Sequence, residues 1–204
     1  MMKKVYTALI FLALLPCARA LAGGGVRFSY GLEWSYTSTF LRSWQYNFIC
    51  NEGYRIIDQD ESWRYFSNGS ILANAGADLG RSFNLSVYSG LSGVYFKRWM
   101  IPVELRLRYC PTGMHNNGLI CFAGASAMFP TSVRRETCFA AGLGAGYRVA
   151  IFRNISIDLL ISAHLVTDHD QIADPDTGAS VPTLDITKNA SQYASLRFTA
   201  AINF

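Results

Sequence analysis

Long stretches of the chain alternate between apolar residues and polar or very small ones. The first, at residues 26–36, reads VRFSYGLEWSY and carries a large apolar side chain at every second position. Strict alternation of this kind is typical of a β-strand whose two faces meet different surroundings. Comparable runs lie at about residues 70–80, 85–95, 101–109, 119–129, 139–149, 155–165 and 196–204. The pattern predicts eight strands, and it contains no helical period.

The character of the two faces indicates which kind of barrel these strands form. The apolar face is continuous on almost every run, as lipid contact requires. The other face is mostly Gly, Ser, Ala and Asn with single charges, which suits a narrow lumen better than a solvated surface. A transmembrane strand needs about 9–11 residues, and a closed barrel pairs every backbone group. We therefore predict an all-β fold, an eight-stranded antiparallel up-and-down transmembrane β-barrel.

The first 22 residues have the order of a cleaved signal peptide. MMKK is the basic start, VYTALIFLALLP the apolar centre, and ARA or ALA the cleavage site. Cys17 leaves a lipoprotein as an alternative, which Pro16 directly before it fits poorly. We expect a signal peptide at 1–22 and a barrel domain at 23–204.

The charged fraction and the net charge of the chain indicate which class of partner is excluded. Charged residues make up 16% of the chain, below the roughly 25% of soluble domains. Removal of Lys3, Lys4 and Arg19 with the signal peptide leaves 15 basic against 14 acidic side chains. Such a balance lacks the basic patch of a nucleic-acid-binding protein, so no nucleic acid is expected as a partner.

Aromatic residues cluster at the ends of the runs, as two interface belts would require. With both termini periplasmic, one belt contains Phe28, Tyr30, Tyr109, Tyr147 and Phe204, and the other Trp34, Tyr36, Tyr95, Trp99, Phe129 and Phe139. This topology makes 38–69 a long extracellular loop and 168–190 a shorter one. The expected partners are then outer-membrane lipids.

Three stretches resemble a known family: WMIPVELRLRY at 99–109, LICFAGASAMF at 119–129 and FAAGLGAGYRVAIFRNISIDLLI at 139–161. They are similar to the Bacteroidetes-type outer-membrane β-barrel family, labelled porin-family or PorT-like. The resemblance covers residues 25–204 and implies a cell outer membrane location, not an activity. Phe204 is similar to the C-terminal aromatic that the barrel assembly machinery recognises, so this machinery is implied as a partner.

A cluster of charges is expected inside the barrel, where a charge is costly unless it is paired. Its members are Glu104, Arg106, Arg108, Arg148, Asp158, His164 and Arg197, with Glu33 and Asp78 as further partners. The favoured interpretation is a salt-bridged plug. The alternative makes His164 a base oriented by Asp158, as in a barrel hydrolase. Six residues along one strand separate the two too far for direct contact, and no nucleophilic serine motif accompanies them.

The 38–69 segment carries many aromatic side chains among mixed charges. Trp44, Tyr46, Phe48, Tyr54, Trp63 and Tyr65 form a candidate binding surface. The alternatives are a loop folded over the barrel mouth, or tall strand extensions that bury these rings. In the 168–190 segment, DPDTG is similar to the start of a calcium loop but lacks its later acidic ligand, so a solvated acidic loop is expected.

Four cysteines remain after export, and an exported location permits disulfides. Cys110 and Cys121 flank one hairpin, and Cys50 and Cys138 map to the outer side, so both pairs are candidate disulfides, with free buried cysteines as the alternative. No cysteine spacing indicates zinc, and no cofactor is expected.

The sequence predicts a small, non-enzymatic envelope protein with a structural or surface-binding role through its extracellular loops. The alternatives are a component of a secretion or envelope complex and a barrel hydrolase. A diffusion pore is not expected, because side chains fill the interior of an eight-stranded barrel. An extracellular or envelope protein is the expected partner class.

Overall fold

The structure of the protein is a computed structural model that describes residues 27–94, 98–131, 137–152, 155–170 and 172–204. Eight antiparallel strands pair in sequence order, and the first also pairs with the last, so the sheet closes into a barrel. They are β1 (Phe28–Ile49), β2 (Arg55–Leu79), β3 (Phe83–Val94), β4 (Arg98–Tyr109), β5 (Gly118–Pro130), β6 (Cys138–Phe152), β7 (Ile155–Asp168) and β8 (Ile186–Asn203). The predicted eight-stranded up-and-down barrel is confirmed. The predicted signal peptide lies outside the described residues.

Alternation places apolar side chains on the outside of the barrel and polar ones inside. On β4, every second residue from Trp99 to Tyr109 is exposed, and the residues between them are buried. The exposed set continues around the barrel on the other strands, with Leu32, Leu143, Leu159 and Phe198 among its members. Because neighbouring strands share this parity, the exterior is a continuous apolar surface and the charged residues meet in the lumen. Among the described residues, no helix is long and apolar enough to cross a membrane.

The first and the last of the described residues meet at one end of the barrel, called here the terminal end. Tyr30 and Phe204 exchange backbone hydrogen bonds of 3.2 and 2.8 Å, and their rings stack at 5.5 Å. The connection between β4 and β5 folds inward at this end, where Met114 is buried and its carbonyl accepts a hydrogen bond from Arg148. The terminal end is therefore partly covered by the chain itself.

At the opposite end, β1 and β2 extend far beyond the other strands. They are 22 and 25 residues long and pair continuously from the barrel to Ile49 and Arg55, apart from a bulge between Thr39 and Leu41. The expectation of a long loop at 38–69 is therefore wrong. Of the alternatives, the strand extensions are confirmed, because only residues 50–54 of this segment lie outside β1 and β2. We call residues 42–49, 55–63 and 186–191 the projecting sheet, since β8 pairs with β1 along this length.

A tight turn joins the two extensions. Gly53 donates its backbone N–H to the Cys50 carbonyl at 2.9 Å, and Cys50 donates to the Tyr54 carbonyl at 3.0 Å. Gly53 has φ of 88°, the left-handed conformation that closes a three-residue hairpin after a type I turn. This geometry identifies Cys50 and Tyr54 as a hydrogen-bonded pair of the ladder.

Candidate functional site

The lumen contains a balanced set of buried charges. Among the described residues, the buried arginines are Arg98, Arg106, Arg108, Arg148 and Arg197, and the buried carboxylates that face them are Glu33, Asp78, Glu104, Asp158 and Asp168. Every member of the charge cluster predicted from the sequence lies in this lumen. Burial of so many charges is tolerable only where they are paired and hydrogen-bonded.

Arg106 occupies the centre of the network. Its guanidinium binds Glu33 at 2.7 Å and Glu104 at 2.8 Å. It also lies between two aromatic faces, 3.9 Å from the ring centroid of Tyr88 and 4.4 Å from that of Phe122. Carboxylates and rings together hold this cation in a fixed position.

A second group of ion pairs lies nearer the terminal end. Arg148 binds both carboxylate oxygens of Asp158 at 2.7 and 2.6 Å, while Arg108 lies 3.8 Å from the same carboxylate and donates to Asn84 and Asn203. Asp158 is thus paired with arginines. The His164 side chain instead forms a hydrogen bond with the Ser162 hydroxyl at 3.0 Å. The arrangement of a base and its orienter, considered from the sequence, is not formed.

Glycines on the lumen face make room for the large interior side chains. A Cβ on Gly124 would lie 2.6 Å from the Glu104 carboxylate, and one on Gly142 would lie 2.5 Å from the His164 ring. Gly144 faces the Phe122 ring in the same way. The glycine-rich sixth strand therefore supplies the space that the plug occupies.

An apolar layer closes the lumen towards the projecting sheet. Its buried members are Val94, Met100, Met128, Cys138, Val166 and Tyr193. Beside it, Arg98 pairs with Asp168, and the Cys138 thiol donates to Asp168 at 2.8 Å. Together with the ion pairs below it, this layer fills the interior along most of its length.

The expected solvated acidic loop between β7 and β8 is wrong for three of its aspartates. Asp168 and Asp174 are buried, and Asp170 accepts hydrogen bonds from Arg42, Tyr46, Ser191 and Tyr193. No local pattern indicates the contacts of Asp170, because its donors come from β1 and β8.

The aromatic residues predicted as one binding surface fall into separate places. The bulge near Thr39 directs Trp44, Tyr46 and Phe48 to the inner face of the projecting sheet, where Phe48 packs with Ile172 and Val181 of the β7–β8 loop. Trp63 and Tyr65 are 74% and 67% exposed on the outer side. There they join the exterior aromatics, since Trp63 stacks on Phe40 at 6.0 Å and the Tyr65 hydroxyl binds that of Tyr36 at 2.8 Å.

Tyr54, the sixth of these residues, lies at the tip of the hairpin. Its hydroxyl donates to Asp176 of the β7–β8 loop at 2.7 Å, and this bond raises the pKa of Tyr54. The single aromatic surface is therefore wrong. What replaces it is a projecting sheet whose inner face is covered by the β7–β8 loop along β1 and remains exposed at Asp58 and Asp60 of β2.

The candidate disulfides do not form in the described structure, and Cys50, Cys110, Cys121 and Cys138 are thiols. Cys110 points into the barrel, whereas Cys121 lies on the outward parity of β5. Cys138 lies beside Asp168. Asp168 and Trp44 both pair with Ser191 of β8, so Cys138 lies at the level of Trp44. Cys50 lies six residues further along β1, which is about 20 Å at about 3.3 Å per residue. Disulfide geometry requires Cα atoms within about 7 Å.

A cavity of about 490 Å³ opens at the terminal end, between Arg108, Arg148, Asp78 and His115. His115 binds Asp78 at 3.0 Å, and the two arginines already have carboxylate or amide partners. In the described part of the chain, no group of three or more His, Cys, Asp or Glu side chains is placed to hold a metal.

Comparison with known proteins shows the fold. Neisserial surface protein A matches with a TM-score of 0.52 and 12% identity over 88% of this chain and 98% of that one. The outer membrane protein OprG from Pseudomonas aeruginosa matches with a TM-score of 0.49 and 7% identity, over 88% and 96%. The outer membrane protease OmpT from Escherichia coli gives a TM-score of 0.34 at 8% identity, too low to bear on activity. No family model matches the sequence, and no curated protein matches it significantly. The chain thus shares the fold of a small outer-membrane β-barrel protein.

Proposed function

We propose that this protein is an integral outer-membrane barrel that binds a partner protein through its projecting sheet and has no enzymatic activity. The observation that carries the proposal is the continuation of β1 and β2 beyond the barrel as a stiff, paired sheet. A lumen filled by ion pairs and an apolar layer leaves this sheet as the largest feature available for recognition.

The membrane location is part of the proposal, and the exterior supports it. Exposed apolar side chains cover the barrel, and exposed aromatics lie near both of its ends, among them Tyr109 and Tyr147 at one end and Trp99 and Phe139 at the other. Two such belts are typical of membrane barrels. On this reading the projecting sheet is extracellular, Phe204 is the signal read by the assembly machinery, and membership of the PorT-like family belongs to the same proposal.

A heat-modifiability gel on the outer-membrane fraction tests the location. We expect the unboiled protein in that fraction to migrate differently from the boiled one, because a folded membrane barrel resists detergent until heated. A protein recovered from the periplasm without a mobility shift would contradict the location.

Photo-crosslinking on intact cells tests the binding role. A photoreactive residue at Gln45 or Gln59 lies on the outer face of the projecting sheet, and the same residue at Leu143 lies on the barrel exterior as the matched control. We expect a discrete crosslinked protein from the first two positions and not from the third. The same result for all three positions would contradict recognition by the sheet. Stoichiometric co-purification of the crosslinked protein would favour an envelope complex over transient surface binding.

A further inference from the structure

The outer edge of β2 carries the strongest unassigned feature of the projecting sheet. β2 pairs with β3 only from Ser70 to Leu79, so in the described part of the chain residues 55–63 have a strand partner on the β1 side alone. This open edge is about 30 Å long at about 3.3 Å per residue. Edges of this length act as templates for another strand unless they are blunted.

The hairpin turn determines which backbone groups face the open side. Cys50 and Tyr54 form a hydrogen-bonded pair, and such pairs alternate with non-bonded ones along an antiparallel ladder. The bonded pairs that follow are Phe48 with Ile56, Tyr46 with Asp58 and Trp44 with Asp60. The backbone N–H and C=O groups of Arg55, Ile57, Gln59 and Glu61 therefore point away from β1.

The charge of the edge indicates what kind of strand it accepts. Asp58, Asp60 and Glu61 are exposed within four residues, and Arg55 and Arg64 are the basic residues of this part of β2. Asp58 and Asp60 lie on one face of the sheet, and Ile57 lies on the other. An added strand that alternates Lys or Arg with Val, Ile or Thr complements both faces, because opposite charges across strands stabilise pairing and like charges destabilise it.

A second copy of this chain fits the edge poorly. Two copies in one membrane, related by a two-fold axis along the membrane normal, both direct β2 towards the bilayer. Their edges would then run in parallel with equivalent residues at the same height, so the acidic segments 58–61 of the two copies would lie next to each other. The acidic residues thus disfavour self-association and leave the edge open to a basic strand.

We propose that a partner protein binds by adding an extended, basic strand to the 55–63 edge of β2. Backbone hydrogen bonds provide the affinity, and Asp58 and Asp60 select the charge, as in other cases of strand addition. This inference rests on the proposed role of the projecting sheet in protein binding and specifies its mode.

The test uses the full chain in detergent micelles and a synthetic peptide of about nine residues that alternates Lys with Val and Thr. Gln59→Pro removes an edge-facing N–H, whereas Gln59→Ala changes only the side chain and is the matched control. We expect Gln59→Pro to weaken peptide binding by about tenfold or more and Gln59→Ala to retain it. A gel shift on heating verifies that both variants are folded.

A peptide of the same charge, N-methylated at alternate amides, separates strand addition from simple electrostatic attraction. We expect it not to bind, and we expect the unmodified peptide to slow amide exchange at Ile57, Gln59 and Glu61. Equal binding of both peptides, or peptide-free dimers paired through this edge, would overturn the inference. If the crosslink at Gln45 persists in the Gln59→Pro variant, the binding role of the sheet stands and strand addition fails.

Discussion

At the residue scale, Arg106 illustrates how the lumen tolerates its charges. The side chain is 1% exposed, and two carboxylates from β1 and β4 converge on it. Neither carboxylate is stable there alone, because a buried ion without a partner loses hydration and gains nothing in return. Each buried charge therefore depends on its partners, and the barrel is stable only when both members of an ion pair are present.

We expect Arg106→Ala to lower the free energy of unfolding by about 3–5 kcal/mol, since it leaves Glu33 and Glu104 buried without their cation. Urea titration, followed by the gel shift between folded and unfolded forms, measures the change. Arg64→Ala removes an exposed arginine of β2 and should change the free energy by less than about 0.5 kcal/mol. Equal midpoints for the two variants would show that the central ion pairs do not stabilise the fold.

The lumen glycines make a matched comparison possible on a single strand. Gly142→Leu places a side chain against the His164 ring, and we expect a loss of about 1–3 kcal/mol from overpacking. Ala141→Leu places the same side chain on the exposed exterior of β6 and should leave stability in a lipid environment almost unchanged. The two titrations use the same gel assay, and a larger loss for Ala141→Leu would contradict the assignment of the faces.

At the element scale, the β7–β8 loop holds the projecting sheet through one aspartate. The Asp174 carboxylate accepts hydrogen bonds from the backbone N–H groups of Asn51, Asp176 and Thr177 at 2.9 to 3.0 Å. It joins the hairpin tip to the loop, and Phe48 and Ile172 pack beneath it. The loop thus acts as a brace for the inner face of the sheet.

This brace should loosen in acid. The Asn51 N–H, followed by that of Thr177, lowers the pKa of Asp174. A carboxyl with a lowered pKa in the folded state contributes stability above its unfolded pKa and loses it as pH falls through the folded value. We expect no change between pH 7 and 5, and loosening below about pH 4. Amide NMR shifts of Asn51, Asp176 and Thr177 in micelles report the transition.

The control for this prediction lies in the same loop. Asp174→Asn should loosen the brace already at pH 7 and remove the acid transition at the three amides. Asp185→Asn should preserve it, because the hydrogen bonds of the Asp174 carboxylate do not involve Asp185. An acid transition that survives in Asp174→Asn would mean that another group controls the loop.

At the scale of the whole molecule, the barrel is a filled cylinder that supports an external sheet. The apolar layer around Met100 and Met128 lies across the lumen at one end, the arginine network fills the middle, and Met114 covers part of the other end. Eight strands enclose only enough space for side chains. A molecule built in this way is suited to display a surface rather than to conduct solutes.

Reconstitution into planar bilayers tests this reading. We expect no steady conductance from the protein at concentrations where a porin gives clear steps, because the described ion pairs and apolar side chains occupy the lumen. The Arg106→Ala variant is the informative comparison, since removal of the central side chain opens space in the lumen. Stable conductance from the unmodified protein would contradict a display role as the main function.

The sequence by itself determined the strand number, the closed barrel and most of the lumen charges, but not the buried pair of Arg98 and Asp168. Period-two alternation is a local property, and it assigns Arg106 or Leu107 to a face without knowledge of any neighbour. Tertiary structure decided the rest, because the partners come from distant strands: Arg106 meets Glu33 from β1, and Asp170 meets donors from β1 and β8.

The wrong predictions of a loop at 38–69 and of a disulfide between Cys50 and Cys138 have the same physical origin. The bulge between Thr39 and Leu41 shifts the parity of β1. The alternation of Trp44, Tyr46 and Phe48 therefore does not continue the pattern of residues 28–36, and the sequence pattern predicts a loop where the strand in fact continues. The position of Cys50 relative to Cys138 likewise depends on the height to which β1 rises. Local periodicity gives the orientation of each side chain, but only the pairing of strands gives its neighbours.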